Sequence, residues 1–445
     1  NAGNVFTGAV SVANYTSAAV NASGNLTTGT INVSGNTSLT STGVITLGNT
    51  SSGNLSVGSS NVSQSAGASV NVSGTTNITG SGTDSANLSN AGNVFTGAVS
   101  VANYTSATVN ASGILTTGTI NVLGNTSITS TGVLTLGNST AGNLSTQSTG
   151  NLLQVSGSSL NITGNTSFTG DGAGNINLSS SGNNFSGAMN LLNFKAATVN
   201  VNSDLVLGNV SKIDNANFTT TQNLTIVGPI NVLSYLNLFG GNITNTGKIS
   251  ALVVSLNATA GNITNLATGN ISGTAATRLE ATVALNNNGS ISTIEESLTI
   301  VTASNITSNK APGVIGNPDE VTVLTGNYSG NGVLEGYNFH SQLGLSSLLA
   351  KALRRLGLDI TLSQISLAVR DVSENAAVTE IDVNLPDTLD AGDVKDFPEA
   401  DPEKPHASGE IGGDKPYVSG LDVEIASSIE ELISMTLRLM RNEEQ

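Results

Sequence analysis

The sequence predicts an all-β protein built as a parallel β-helix, or solenoid, with a small α+β unit at its C-terminal end. Three features carry that expectation: a long internal repeat, short apolar runs that alternate with polar residues, and a near absence of charge over the first 200 residues.

The repeat is direct. Residues 1–48 return as residues 90–137 with five differences: Ala19/Thr108, Asn25/Ile114, Ser34/Leu123, Leu39/Ile128 and Ile45/Leu134. A drifted third copy begins at Ser181-Gly-Asn-Asn-Phe-Ser-Gly-Ala188, where Phe185 stands for Phe6 and Phe95. A long period made of short β-prone pieces means stacked units, so the 445 residues need not divide into ordinary globular domains.

The differences between copies identify strands. Around Leu26, Ile31, Val33, Leu39, Ile45 and Leu47 the apolar positions keep odd-even order. The conservative exchanges, Leu39/Ile128 and Ile45/Leu134, fall on those positions. The polar-to-apolar exchanges, Asn25/Ile114 and Ser34/Leu123, fall on their neighbours. A strand with one face in a core and one in water tolerates that pattern, and a helix does not. The runs are broken by Ser-Gly-Asn, Thr-Gly and Gly-Asn-Thr, residues that form turns.

Charged residues make up 10% of the chain, against about 25% in ordinary globular proteins. Before Asn200 there are only Asp84, Asp171 and Lys195. In a parallel solenoid each side chain stands over its equivalent one coil below. Ladders of Asn, Ser, Thr, Val and Ile are favourable there, while ladders of Lys or Glu would repel. With coils of about 22 residues, one repeat is expected to make roughly four coils, and residues 1–300 a shaft of about 13 or 14 coils. A Ser/Thr/Asn/Gly-rich flexible stalk is the competing reading, and the regular alternation and positive mean hydropathy (+0.09) argue against it. An acidic chain with 3% aromatics also lacks the footprint of a nucleic-acid binder.

The unit Gly3-Asn-Val-Phe-Thr-Gly-Ala-Val-Ser-Val12, with a following Gly43-Val-Ile-Thr-Leu-Gly48, resembles the repeat of filamentous haemagglutinin-like proteins. These are large bacterial exoproteins exported by two-partner secretion. The resemblance covers residues 1 to about 270 and implies a right-handed parallel β-helix, an extracellular or outer-membrane-attached location and an outer-membrane secretion partner. The family's N-terminal secretion domain is not visible. The chain starts inside a repeat without an initiator Met, so residue 1 is not expected to be the true start. The absence of cysteine suits export in an unfolded state. No apolar run reaches the roughly 18 residues of a membrane-spanning helix.

The pattern changes near Thr293, where charges and prolines enter. Residues 301–385 are expected to form a transition or cap, with a helix over 342–356 and strands over 360–369 and 378–385. Residues 386–416 read as an acidic, proline-rich linker. Residues 417–445 read as a strand and a helix, with Ser427 and Ser428 ahead of Glu430 and Glu431 as a capping box. From Glu335 onward there are 21 acids and 9 bases, which place −12 of the net charge of −16 in this region. The unit is either a cap on the open end of the solenoid or a head domain.

Residues with the chemistry of a catalytic site are sparse. His340 and His406 stand alone, and no cysteine is present, so no catalytic, cofactor-binding or metal-ligating residue is assigned. Asp84, Asp171, Asp204 and Asp214 are scattered along the shaft and do not form the carboxylate cluster of a β-helical carbohydrate enzyme. Asp387, Asp390, Asp393 and Asp396 could face Ca²⁺, although a solvated linker accounts for them as well. Asn14, Asn25, Asn32, Asn36 and Asn103 stand in Asn-x-Ser/Thr sequons, candidates for glycosylation or simply members of asparagine ladders.

The expected function is therefore structural and adhesive: no enzyme and no cofactor, but a secreted or cell-surface shaft that displays a binding surface to a glycan or matrix receptor. A self-assembling filament formed by end-to-end association is the second reading. A carbohydrate-active enzyme is the third.

Overall fold

Parallel pairing from coil to coil organises the structure. The computed structural model describes residues 3–293, 298–309, 313–316, 321–330, 333–334 and 337–340. The chain divides into two units, Asn1–Ser341 and Gln342–Gln445, and every described residue belongs to the first. The helix expected over 342–356, the strands expected over 360–369 and 378–385, the 386–416 linker and the 417–445 segment lie outside the described residues.

Among the described residues there are strands and turns and no helix, and the strands form a parallel β-solenoid of about 15 turns. A single column traces it. Leu26 pairs with Ile45, Ile45 with Val62, Val62 with Ala86, Ala86 with Ala107, and Ala107 with Thr126. The column runs on through Leu144, Thr166, Met189, Leu207 and Ile226. It ends through Asn245, Asn265, Asn287, Ser308 and Gly330. Pairing thus continues past residue 300, as far as Tyr337–His340.

Each coil presents three strand faces. After Ala107–Ala111 has paired with the next coil at Thr126–Ser130, Leu115 pairs with Leu134 and Ile120 with Ser139. Paired residues of successive coils stand from 16 to 24 positions apart, so a coil averages about 20 residues, shorter than the 22 expected from sequence. The repeat is therefore not four whole coils. Leu115, the repeat equivalent of Leu26, does not continue the Leu26 column. That column passes through Ala107, and Leu115 lies on the next face. One repeat advances about four and one-third coils, so equivalent strands move around the solenoid by one face.

Burial follows the alternation read from sequence. Leu26–Ser41 alternates between buried and exposed positions along both halves of the strand. Leu39, Ile128, Ile45 and Leu134 are completely buried, whereas Ile114 and Leu123 are 66% and 71% exposed. The five differences between copies therefore sort by face as the alternation requires. Burying one such Leu or Ile contributes about 1.5–3 kcal/mol, and the interior is one continuous apolar cluster over the described coils. Phe168 and Phe185 meet edge to face inside it, with ring centroids 6.3 Å apart.

A left-handed residue turns one corner in each copy. Asn14, Asn103 and Asn193 have φ of 66°, 62° and 66°. Asparagine tolerates this conformation because its short amide bonds locally. The turn places Ala102 and Asn103 outside in succession and sends Tyr104 inward. The Tyr104 ring lies against Gly80, where an added Cβ would stand 2.6 Å from the ring, so only glycine fits there. Phe194 repeats the arrangement on Gly170.

Five inward threonines among the described residues break the apolar rule. The Thr76, Thr126, Thr146, Thr166 and Thr299 hydroxyls are buried without a hydrogen-bond partner, and Thr166 sits between Leu144 and Met189 in its column. A buried hydroxyl left unbonded costs about 1–3 kcal/mol. Thr166→Val is therefore expected to stabilise the solenoid by about 1 kcal/mol, read as a rise in the thermal or urea midpoint. An unchanged or lower midpoint would mean that the hydroxyl is satisfied in solution.

Candidate functional surface

Amides are the main polar chemistry of this solenoid, and they fall into a buried set and an exposed set. The buried set begins in the Gly-Asn-x-Phe motif. Asn93 is fully buried. Gln64 Nε2 donates to Asn93 Oδ1 at 2.7 Å, and Asn93 Nδ2 returns a bond to Gln64 Oε1 at 3.1 Å. The Val70 amide also donates to Asn93 Oδ1, and Asn93 Nδ2 reaches the Leu88 carbonyl. One copy later Gln154 and Asn183 form the same reciprocal pair at 2.7 and 2.9 Å, and the Leu160 amide takes the place of Val70. The motif asparagine thus closes the coils that carry the longest turns.

A second buried set follows in the traced column. Asn245, Asn265 and Asn287 are fully buried on successive coils. Asn245 Nδ2 donates to Asn265 Oδ1, and Asn265 Nδ2 to Asn287 Oδ1, both at 2.9 Å. Their remaining hydrogen-bonding capacity is taken by turn backbone, including the carbonyls of Gly247 and Val314 and the amide of Gly289. The sequence reading missed all five buried asparagines. A signal was present: Ile243-Thr-Asn245 and Ile263-Thr-Asn265 put an asparagine where the alternation demands an inward residue.

All five sequon asparagines, Asn14, Asn25, Asn32, Asn36 and Asn103, are exposed. Two of them serve ladders. Asn25 Oδ1 accepts the Val44 amide, and Asn36 Oδ1 accepts Asn54 Nδ2 at 2.9 Å. Asn14 and Asn103 hold the left-handed corners. Asp204 occupies the repeat position of Asn25 and Ile114, and its carboxylate accepts both the backbone and the side-chain amide of Asn223.

The four scattered acids remain apart. Asp171 caps its own turn, and the Ala173 and Gly174 amides that donate to it hold its carboxyl below the usual carboxylate range. Asp84 and Asp204 are exposed, next to turns, and Asp214 is half-buried within the strand Leu205–Thr220. Among the described residues no three of His, Cys, Asp and Glu come together as metal ligands, and the one ion pair joins Arg278 and Glu280 along a single strand. His340 ends the last described strand. His406 and the aspartates at 387, 390, 393 and 396 lie outside the described residues.

One face carries a trough of about 360 Å³ that runs across five coils. Ser106, Asn125, Asn143 and Asn165 form one wall, and Thr108, Ser127, Ser145 and Ser167 form the other. The second wall is in register from coil to coil. The floor is the backbone of the inward residues between the walls, among them Ala107, Thr126 and Leu144. The amide wall is fixed: Asn143 Nδ2 donates to Asn125 Oδ1 at 2.8 Å, and Asn143 Oδ1 accepts the Asn165 amide at 2.7 Å.

A family model described as repeats of unknown function (DUF5649) matches residues 45–102 and 123–192. No curated protein and no solved structure matches the chain. The two matched blocks end at the same place in the repeat, Ala102 and Leu192, and each contains one reciprocal Gln–Asn pair and one Gly-Asn-x-Phe motif. The matched repeat is thus the one whose coil closure depends on a buried amide.

Two outcomes are expected. Asn265→Ala should cost about 2–4 kcal/mol, because it strands amide groups of Asn245 and Asn287 in the interior. Adding Asn245→Ala should then cost less than its effect alone, a non-additivity that urea melts of the two single variants and the double variant would measure. Burial pushes the Tyr104 hydroxyl well above the usual tyrosine range, and its proton bonds the Ser59 carbonyl at 3.0 Å. Its folded pKa is raised, so its contribution is complete below the unfolded value of about 10 and is lost as pH rises from there toward the folded value. Tyr104→Phe should therefore flatten the alkaline fall in melting temperature; equal slopes for the two proteins would refute the assignment.

Proposed function

We propose that the chain is a non-catalytic, adhesive shaft displayed outside the cell, whose outer surface makes many weak contacts with a glycan or matrix receptor. The observation that carries this reading is the continuous coil-on-coil pairing from Val10 to His340. About 15 turns at the strand spacing of about 4.8 Å rise on the order of 70 Å. Repeated surfaces on such a rod add weak contacts into a strong attachment.

The resemblance of the Gly-Asn-x-Phe repeat to filamentous haemagglutinin-like shafts supports export through an outer-membrane partner. The fold suits that route. Each coil needs only its neighbour for pairing, so the solenoid can grow one turn at a time as the chain emerges. A chain without cysteine carries no crosslink to hinder passage.

Beads coated with the purified full chain are expected to adhere saturably to cells bearing surface glycans. Adhesion should change little between low and high salt, because the contacts are uncharged. Electron microscopy should show discrete rods. Beads that fail to adhere would overturn the adhesive reading, and endless fibres would replace it with the filament.

A further inference from the structure

We propose that one corner of the solenoid docks on the surface of an anionic phospholipid bilayer, with Leu233, Tyr235 and Leu252 entering the interface and Lys195, Lys212 and Lys248 meeting the phosphates. The inference goes beyond the adhesive reading above and does not rest on it.

This corner changes character along the axis. In four successive coils it is glycine: Gly113, Gly132, Gly150 and Gly174, the last three so close to the glycine below that an added Cβ would meet its backbone. The Lys195 amide continues the column by donating to the Gly174 carbonyl at 2.8 Å. Asp214 follows, because Phe194 pairs with Ile213 and Ala196 with Asn215. Leu233 and Ser234 together face Asp214, between Val232 and Tyr235. Leu252 comes next, between the pairs Asn231–Ser250 and Tyr235–Val253. A smooth edge thus becomes a ridge of long side chains.

On that ridge Leu233 is 62% exposed, Tyr235 55% and Leu252 40%. An exposed apolar residue standing singly, such as Leu123, needs no explanation; three that adjoin across neighbouring coils mark a contact surface. Charge is the second, independent observation. The described residues hold three lysines, and all three border this patch. Lys195 stands on the ridge itself. Lys212 adopts a φ of 56° and has no counterpart between Asn231 and Val232, so it stands out from the ladder. Lys248 shares the outward face of its strand with Ser250 and Leu252. All three are exposed, and none forms an ion pair among the described residues. Asp214, half-buried, is the one acid among the described residues of the ridge. Three lysines and one aspartate leave the ridge cationic on an acidic chain.

Shape and charge together select the occupant. A corner of a solenoid is convex, so it offers no groove for an acidic peptide, whereas a bilayer accepts a convex ridge without a matching surface. A second copy of the same ridge would set lysine against lysine. An anionic polysaccharide would meet the lysines and leave the leucines in water. At a bilayer the two leucines and the tyrosine ring reach below the headgroups, tyrosine keeps its hydroxyl at the interface, and each lysine stem lies along the apolar surface while its ammonium stays among the phosphates. The ridge runs along the axis, so the shaft would lie on the membrane rather than stand on it.

The test floats the full chain with vesicles of phosphatidylcholine and phosphatidylglycerol, roughly 7:3, against vesicles of phosphatidylcholine alone. The mixed vesicles are expected to carry the protein at least tenfold better. Each lysine near an anionic surface is worth about fivefold in partitioning, so Lys195→Asn/Lys212→Asn/Lys248→Asn should lose at least tenfold; asparagine suits the left-handed backbone at 212. Leu233→Ser/Tyr235→Ser/Leu252→Ser should lose as much, while Leu123→Ser, exposed elsewhere on the shaft, should bind as the parent does. Circular dichroism melts confirm that the variants fold. The chain has no tryptophan, so Leu252→Trp puts a single indole on the ridge, and its emission should shift to the blue on mixed vesicles and be quenched by brominated acyl chains. No binding to the mixed vesicles overturns the proposal, as do equal binding to both vesicle types, unchanged binding by either triple variant, or an unshifted indole. Capture by polyglutamate without vesicle binding also overturns it and gives the ridge to an acidic polypeptide.

Discussion

Parallel hydrogen bonding between coils is the constraint from which the rest follows. It fixes every side chain above its counterpart and so forbids stacks of like charge. It also demands that an inward position stay inward on every coil. The described shaft meets both demands with Val, Leu, Ile and Ala inside and with Ser, Thr and Asn outside. Where a polar group enters the interior, it enters with partners. Asn93 and Asn183 each hold a glutamine, and Asn245, Asn265 and Asn287 hold one another. The inward threonines, with unbonded hydroxyls, are the exceptions.

Neighbouring coils complete the environment of an inward side chain. Tyr104 is enclosed because Gly80 leaves room for its ring and Ser59 accepts its proton. Lys212 shows the complementary case. It adopts a φ of 56°, one coil above Asn193, where backbone pairing on both sides imposes a conformation that lysine disfavours.

The alternation of Leu26, Ile31, Val33 and Leu39 was enough to read the strands, because burial on one face of a strand has a period of two. The sorting of Ile114 and Leu123 to the outside could be read for the same reason. Coil length was harder to read. Turns between strands vary, so the same column advances by different numbers of residues, and averaging them from sequence overestimated the coil. The buried amides were hidden because an asparagine at an inward position looks like one more polar residue in an Asn-rich chain. The trough could not be seen at all: Asn125 and Asn143, or Ser127 and Ser145, become walls only once the register between coils is known.

The offset of one face per repeat has a consequence for how the molecule meets its surroundings. If repeats were whole numbers of coils, every copy of a surface would look in a single direction, and the opposite sides would show other sequence. With a third of a turn left over, three successive copies point to three bearings around the axis, like steps on a spiral stair. Each of the three faces of the described shaft therefore carries the same stretch of sequence at a different height.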